Sequence, residues 1–86
     1  MKISVSVSTP IGKYKDTKAS IVNVKTVDGE RGILAGHMPL VLSLVPGKMS
    51  LEEPDGRHNY KVGKGVLYFK ENNCTVLVDH IEELGE

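Results

Sequence analysis

The sequence predicts an all-β domain, a flattened β-sandwich or barrel built from short and mostly antiparallel strands. Apolar and polar side chains alternate along several segments, which is typical of strands with one buried face. Turn residues separate these segments at intervals of about 8–12 residues, as in sandwiches and barrels. Only residues 80–85 could begin a helix, and a helix that short is not stable alone.

The predicted strands follow from local patterns along the chain. In the first strand, three apolar residues alternate with serines, which indicates one buried and one solvated face. Residues 40–45 are more continuously apolar, as expected for a strand that is covered on both sides. In chain order, the predicted strands are residues 3–8, a short piece around Tyr14, 19–27, 40–45, 48–51, 59–62, 66–70 and 74–79.

Two polar segments in the second half of the chain are predicted as turns. Residues 52–58 form a polar hairpin tip, because Pro54 presets φ, Asp55 supplies a side-chain acceptor and Gly56 accepts positive φ. Residues 71–73 form another turn. The Gly-Lys-Gly sequence at residues 63–65 is interpreted as a bend or bulge rather than a phosphate-binding loop, since strand-like residues follow it.

Residues 29–40 are the most informative segment of the chain. They concentrate three glycines, a proline and a histidine around the short apolar pair Ile33 and Leu34. Glycine reaches positive φ at little cost, and proline fixes φ and removes a donor, so the segment predicts two tight bends around a very short strand. The residues expected to have a structural role at turns, here and later in the chain, are Gly29, Gly32, Gly36, Pro39, Gly47, Gly63 and Gly65.

Composition limits the classes of function. The 86 residues are expected to form a single domain, residues 1–86, with eleven basic and eleven acidic residues and therefore no net field that favours nucleic acid or anionic lipid. The single cysteine, Cys74, excludes an internal disulfide and zinc sites built on several thiolates. No segment resembles a signal peptide or reaches the ~20 apolar residues of a spanning helix. A soluble, cytoplasmic chain is therefore expected.

The sequence predicts no catalytic, metal or cofactor site. The histidines His37, His58 and His80 lie far apart, and none has another ligand-type residue at close metal spacing. A triad of Ser43, His37 and Asp79 can be written down, but nothing resembles a nucleophile elbow. Solvated loop histidines and a locally bonded serine are the simpler interpretation.

A carrier domain is the alternative from another functional class. Lys48 beside Met49 is similar to the modified lysine of biotinyl and lipoyl carriers, which are also small β-sandwiches. Carriers present that lysine at an exposed hairpin tip, whereas Lys48 opens a strand after Pro46 and Gly47. An adduct on the lysine would distinguish this alternative, and a small hydrolase would be revealed by activity that depends on His37.

Residues 29–40 resemble the signature loop of the epsilon subunit of F-type ATP synthases, called delta in mitochondria. Three further segments resemble the family in the right order. They are the opening strand at residues 5–10, the Pro-Gly at residues 45–47 and the Gly-Gly strand entry at residues 62–67. The resemblance spans essentially the whole chain.

This sequence departs from the family pattern at three places. Ala35 stands where the family usually has proline, and Lys64 replaces one of the paired glycines. Most members also continue into two C-terminal helices, whereas this sequence stops at Glu86. We therefore expect no C-terminal helical domain, and inhibition or ATP sensing by those helices is not carried over.

The resemblance implies a roughly ten-stranded sandwich in the central rotor stalk. It would act as a non-catalytic subunit that couples the gamma subunit to the membrane ring of c subunits in ATP synthesis driven by ion transport. The implied place is peripheral, on the cytoplasmic side of the membrane or the equivalent matrix or stroma side. Residue by residue, the resemblance implies ring contacts at Glu30, Arg31, His37 and Met38, and gamma contacts at Thr9, His37 and Met38.

Overall fold

The computed structural model describes residues 2–85 as ten β-strands, with no helix among these residues. Met1 and Glu86, the two ends of the expected domain, lie outside the described residues. The prediction of an all-β fold is confirmed. The strands are β1 (Ile3–Thr9), β2 (Gly12–Ala19), β3 (Ile21–Thr26), β4 (Gly29–Leu34), β5 (Leu40–Leu44), β6 (Gly47–Glu53), β7 (Gly56–Val62), β8 (Gly65–Lys70), β9 (Asn73–Val78) and β10 (Ile81–Leu84).

Two of the hairpin turns have the backbone geometry that their residues favour. Gly56 follows the turn residues Pro54 and Asp55 and opens β7 with φ of 126°. Between β8 and β9, Glu71 and Asn72 have φ of 51° and 60°, the left-handed pair found in tight two-residue hairpins. Both predicted turns are therefore confirmed.

The strands form one curled sheet with the order β10-β7-β6-β3-β5-β8-β9-β1-β2, and β4 pairs with β3 outside this path. All pairings are antiparallel except that of β1 with β9. The sheet curls until its two halves face each other. Where they meet, β2 faces β6, and the Thr17 hydroxyl donates to the Glu53 carboxylate at 2.9 Å. This closure produces the sandwich around one apolar core.

The core is built from the inward-facing residues of both halves of the sheet. Strict alternation puts every second residue of β1, β8 and β9 inside, as the sequence pattern predicts. Each fully buried large apolar side chain contributes about 1.5–3 kcal/mol by leaving water. The buried apolar residues are Ile3, Val5, Val7, Ala19, Val22, Val24, Ile33, Leu44, Met49, Leu51, Tyr60, Val62, Leu67, Phe69, Cys74, Val76 and Val78.

A buried carboxylate lies at one side of this core. Glu53 of β6 accepts hydrogen bonds from the Tyr60 hydroxyl at 2.8 Å, the Lys15 ammonium at 3.0 Å and the Thr17 hydroxyl at 2.9 Å. Burial opposes ionisation of Glu53, but these three donors outweigh it and lower its pKa below the ordinary value. The sequence analysis placed Glu53 in a polar hairpin tip, whereas the structure buries it.

The structure corrects three further expectations. Strand β5 is covered on one face only, because Val41 and Ser43 are exposed. Residues 81–84 form strand β10 paired with β7 instead of beginning a helix. The predicted turn residue Gly32 lies inside β4 opposite Asn23, so the short strand around Ile33 is longer than expected.

Candidate interaction surface

Eight neighbouring residues on the outer side of β5, β8, β9 and β1 carry no charged side chain and are here called the uncharged face; Lys70 at the end of β8 and Asp16, opposite Ser6 on β2, lie at its border. Its members follow from strand register. One row runs from Val41 through Tyr68 and Thr75 to Ser6, and a second row runs parallel to it. The eight residues of the uncharged face are Val41, Ser43, Val66, Tyr68, Thr75, Leu77, Ser6 and Ser8.

Three large apolar side chains stand out from the uncharged face. Val41 is 61% exposed, Tyr68 64% and Leu77 48%. Single exposed apolar residues are ordinary, but neighbouring ones on an uncharged surface indicate a place where another molecule binds. The outer side of the other half of the sheet differs, because charged side chains alternate there along its strands. They are Lys25, Glu30, Lys48, Glu52, Arg57, Lys61 and Glu82.

The residues expected to contact gamma border the uncharged face at its two ends. Thr9 ends β1, directly after Ser8. Met38 lies just before β5 and is 71% exposed. Since strands advance about 3.3 Å per residue and neighbouring strands lie ~4.8 Å apart, these two corners of the face are roughly 20–25 Å apart. The structure therefore separates Thr9 from Met38, with the uncharged face between them.

The bend before β5 is held in one conformation. Gly36 has φ of 89°, and its amide donates to the Asn72 side-chain oxygen at 2.7 Å. The His37 amide donates to the Leu34 carbonyl oxygen at 3.2 Å. The His37 ring meets Phe69 edge-on, with 6.1 Å between ring centroids. The second of the two predicted bends is therefore present, and it fixes the position of His37.

Glu30 and Arg31 are exposed side chains of β4, a strand that pairs with β3 alone. They lie near the first bend, where Gly29 has φ of 111°, and Glu30 is opposite Lys25. His37 and Met38 follow the other end of β4. The four residues expected to contact the ring thus divide into two pairs at opposite ends of one strand.

The remaining glycines and the proline expected at turns lie where strands begin or connect. Gly65 has a strict steric requirement, since a Cβ there would lie 1.9 Å from the Leu77 backbone oxygen, whereas at Gly63 the nearest atom, 1.7 Å away, belongs to the Asp79 side chain. Only glycine allows β8 and β9 to approach this closely. Gly29, Gly47 and Gly65 open β4, β6 and β8, Gly63 lies between β7 and β8, and Pro39 precedes β5.

Among the described residues, one group offers metal-type ligand atoms close together. Glu53, Asp55 and His58 have such atoms within 4.8 Å of one another. The Glu53 carboxylate already accepts from Lys15 and Tyr60, so a side-chain ammonium supplies the positive charge there. We interpret the group as an ion-pair network and not as a metal site.

The structure does not assemble the nucleophilic arrangements considered from the sequence. The Nδ1 atom of His37 lies 2.8 Å from the Met38 carbonyl oxygen, and its ring packs on Phe69 rather than on Ser43 or Asp79. Cys74 is buried, which raises the pKa of its thiol to about 12 and keeps it unreactive. Lys48 lies within β6 opposite Lys61, away from the hairpin tip that a carrier lysine requires.

The sequence of this chain matches a known family of β-sandwich domains. Residues 2–84 match the family described as the ATP synthase delta/epsilon chain, beta-sandwich domain. The chain belongs to this family. Among the described residues of this delta/epsilon sandwich domain, no helix is long and apolar enough to cross a membrane.

Curated relatives of the delta/epsilon sandwich are named as ATP synthase epsilon chains. The sodium-ion-specific epsilon chain of Propionigenium modestum is 30% identical over 82 residues, which cover 95% of this chain and 60% of that protein. The epsilon chain of Alkalihalophilus pseudofirmus is 36% identical over 80 residues, covering 93% and 60%. The chain therefore spans about 60% of the length of these relatives.

Solved structures share the fold of the delta/epsilon sandwich. A chain in the mitochondrial ATP synthase of Euglena gracilis has a TM-score of 0.88 at 21% identity, with coverage of 95% of this chain and 53% of that one. A chain in the central stalk and c-ring of the Tetrahymena thermophila enzyme has a TM-score of 0.77 at 20% identity, with coverage of 95% and 66%. Both have the same curled arrangement of strands.

Sequence reasoning missed the uncharged face. Its three large residues, Val41, Tyr68 and Leu77, alternate with inward-facing apolar residues of β5, β8 and β9. In the sequence they therefore belong to continuous apolar runs, which predict strands buried on both faces. A signal was present, because the small hydroxyl residues Ser6, Ser8, Ser43 and Thr75 carry no charge at outward-facing strand positions. Only strand register shows that these positions adjoin.

Proposed function

We propose that this domain is a non-catalytic rotor subunit of an F-type ATP synthase, which couples the gamma subunit to the membrane ring of c subunits. Epsilon chains are its named relatives, and the similar chains come from assemblies described as containing a central stalk or a c-ring. The observation that carries the proposal is the uncharged face on a sheet sandwich. It gives a rigid body one surface suited to a protein partner.

The uncharged face is the proposed contact with gamma. Stable protein interfaces bury at least ~1,000 Å², have an apolar centre and place polar groups at the rim. Val41, Tyr68 and Leu77 supply the apolar centre, and the surrounding serines can pack closely against a partner. Thr9 and Met38 border this face and belong to the same contact.

The β3–β4 end is the proposed contact with the ring. Glu30 and Arg31 are exposed there, beside Lys25, and offer charges of both signs to the polar loops of c subunits. The resemblance also assigns His37 and Met38 to the ring. Because they lie at the far end of β4, we assign them first to gamma and leave the ring contact to Glu30 and Arg31.

A coupling role also requires a body that does not deform under torque. Backbone hydrogen bonds between paired strands connect all ten strands into one sheet. The side-chain network of Lys15, Glu53 and Tyr60 additionally connects β2 to β6 and β7. The complex would sit peripherally at the membrane, on the cytoplasmic side or its matrix or stroma equivalent. The role needs no catalytic group in this chain.

Co-purification with gamma tests the proposal. We expect the wild-type chain to form a complex with gamma at micromolar concentration, and Tyr68→Glu to weaken it at least tenfold by placing a charge in the apolar centre. Lys61→Glu is the matched control, since it changes charge on the opposite outer side and should leave binding unchanged. The proposal fails if the wild-type chain does not bind gamma, and the assigned face is wrong if both variants bind equally well.

A further inference from the structure

The His58 ring lies between two carboxylates from different parts of the chain. Its Nε2 atom is 2.8 Å from an Asp55 oxygen in the β6–β7 turn, and its Nδ1 atom is 3.0 Å from a Glu83 oxygen in β10. An ionised carboxylate only accepts hydrogen bonds. Both contacts are satisfied together only when both ring nitrogens carry a proton. The geometry therefore selects the charged imidazolium.

Strand β10 depends on few other contacts. It has four residues, pairs with β7 alone and forms one edge of the sheet. Within it, Ile81 packs against the core, whereas Glu82, Glu83 and Leu84 are exposed. An edge strand with little buried apolar surface opens at low free-energy cost. The His58–Glu83 contact thus adds a side-chain link to the backbone ladder that holds its second half.

We propose that His58 is a pH-sensitive latch, which holds β10 against β7 when its ring is doubly protonated and loosens β10 when the ring loses a proton. A neutral imidazole has one donor and one lone pair. The neutral ring can donate a hydrogen bond to one carboxylate, but its unprotonated nitrogen then faces the oxygen of the other carboxylate. Loss of the proton therefore removes one hydrogen bond and leaves two carboxylate charges without a cation between them.

The surrounding charges favour the protonated ring. Asp55 faces it from the turn, Glu83 from β10 and Glu53 from β6, while the Lys15 ammonium of β2 is hydrogen-bonded to Glu53. Hydrogen bonds from the ring to Glu83 and then Asp55 raise the pKa of His58 above its ordinary value of 6.5. A raised folded-state pKa means that the latch is fully present below that ordinary value and is lost as pH rises through the folded-state pKa.

Amide exchange measured by NMR on the whole chain tests the latch. We expect protection factors of the Glu82 and Leu84 amides, which point toward β7, to be lower at about pH 8.5 than at about pH 5.5, on either side of an ordinary histidine pKa. The size of the difference depends on how far the pKa of His58 in the closed strand exceeds its pKa when β10 is open. Each pH unit of that excess should contribute about a tenfold difference in the protection factors between the two pH values.

Two variants separate the latch from general pH effects. His58→Gln removes the titrating ring, so we expect β10 protection to be low and equal at both pH values. His80→Gln is the matched control, because His80 contacts Asp79 and not β10, and should keep the wild-type dependence. A His58 pKa at or below 6.5, equal protection at both pH values in the wild type, or a pH dependence that survives in His58→Gln would each overturn the proposal.

Discussion

Lys15 and Glu53 meet at 3.0 Å where the two halves of the curled sheet come together, although 38 residues separate them in the chain. Lys15 also donates to the Tyr60 hydroxyl at 2.6 Å and lies 5.2 Å from the centre of its ring. Burial raises the pKa of that hydroxyl to about 12, so Tyr60 stays neutral and donates to Glu53. One cation and one carboxylate thus tie β2 to β6 and β7.

Replacing Glu53 by alanine should destabilise the domain. Breaking one side of a buried ion pair costs about 3–5 kcal/mol, and partial exposure of Lys15 reduces this to roughly 2–3 kcal/mol. Urea unfolding of Glu53→Ala, Lys15→Met and the double variant measures both the loss and the coupling between the two residues. A loss within the ~0.5 kcal/mol of an ordinary surface substitution would contradict the network.

The same network predicts how stability depends on pH. The pKa of Glu53 is lower in the folded chain than its ordinary value of 4.5, because its hydrogen bonds outweigh its burial. Its contribution is therefore present above the ordinary value and is lost as pH falls through the folded-state pKa. Melting temperature measured from about pH 7 to about pH 3 should fall more for the wild type than for Glu53→Gln. Parallel curves would show that Glu53 is not the responsible group.

The sequence predicted the elements whose pattern is local and missed those that depend on distant residues. Alternation located β1, β3, β8 and β9, and the residues of the β6–β7 and β8–β9 turns predicted both hairpins. Only a short piece around Tyr14 was predicted in β2, because its residues lack regular apolar alternation. Its polar residues Lys15 and Thr17 instead contact Glu53, and no local rule describes that contact.

The candidate surfaces likewise depend on contacts between residues that are distant in the chain, which the sequence alone does not predict. The resemblance selected individual residues such as Thr9, Glu30 and Met38, but it could not say that strands would place them at different ends. The uncharged face depends on the register of Val41 with Tyr68 and of Val66 with Leu77, which is fixed by pairing across the sheet. Strand β10 likewise depends on the edge that β7 offers, since its two glutamates give this four-residue segment little strand preference of its own.

The close approach of β8 and β9 at Gly65 predicts a steric effect. In Gly65→Ala the new methyl group would meet the backbone oxygen of Leu77, which cannot move without disturbing the ladder. We expect a loss of roughly 1–3 kcal/mol or more, as for overpacking in a core. Gly32→Ala is the matched control, because its methyl group would meet only a side-chain oxygen of Asn23, at 3.0 Å. Thermal unfolding should rank the two variants clearly, and equal melting temperatures would refute the argument.

Alanine substitutions at two leucines test how deeply strands β5 and β8 are buried. Leu67 is fully buried, so Leu67→Ala should cost about 2–5 kcal/mol. Leu42 only partly packs against the core, so Leu42→Ala should cost less, although the sequence predicted it as a core residue of a strand covered on both sides. Chemical denaturation of both variants measures the difference. A larger loss for Leu42→Ala would mean that β5 is buried differently from what its exposed face indicates.

The charges at the β3–β4 end predict a small effect on assembly with the ring. Glu30 is exposed, and an exposed ion pair contributes only about 0–1 kcal/mol, which is at most roughly a fivefold change in affinity. Binding of Glu30→Ala to c-ring preparations should therefore weaken modestly, and the weakening should shrink at high salt because exposed charges are screened. Glu71→Ala, an exposed residue in the distant β8–β9 turn, should bind as the wild type does. Complete loss of assembly in Glu30→Ala, or equal weakening in Glu71→Ala, would show that the ring contact lies elsewhere.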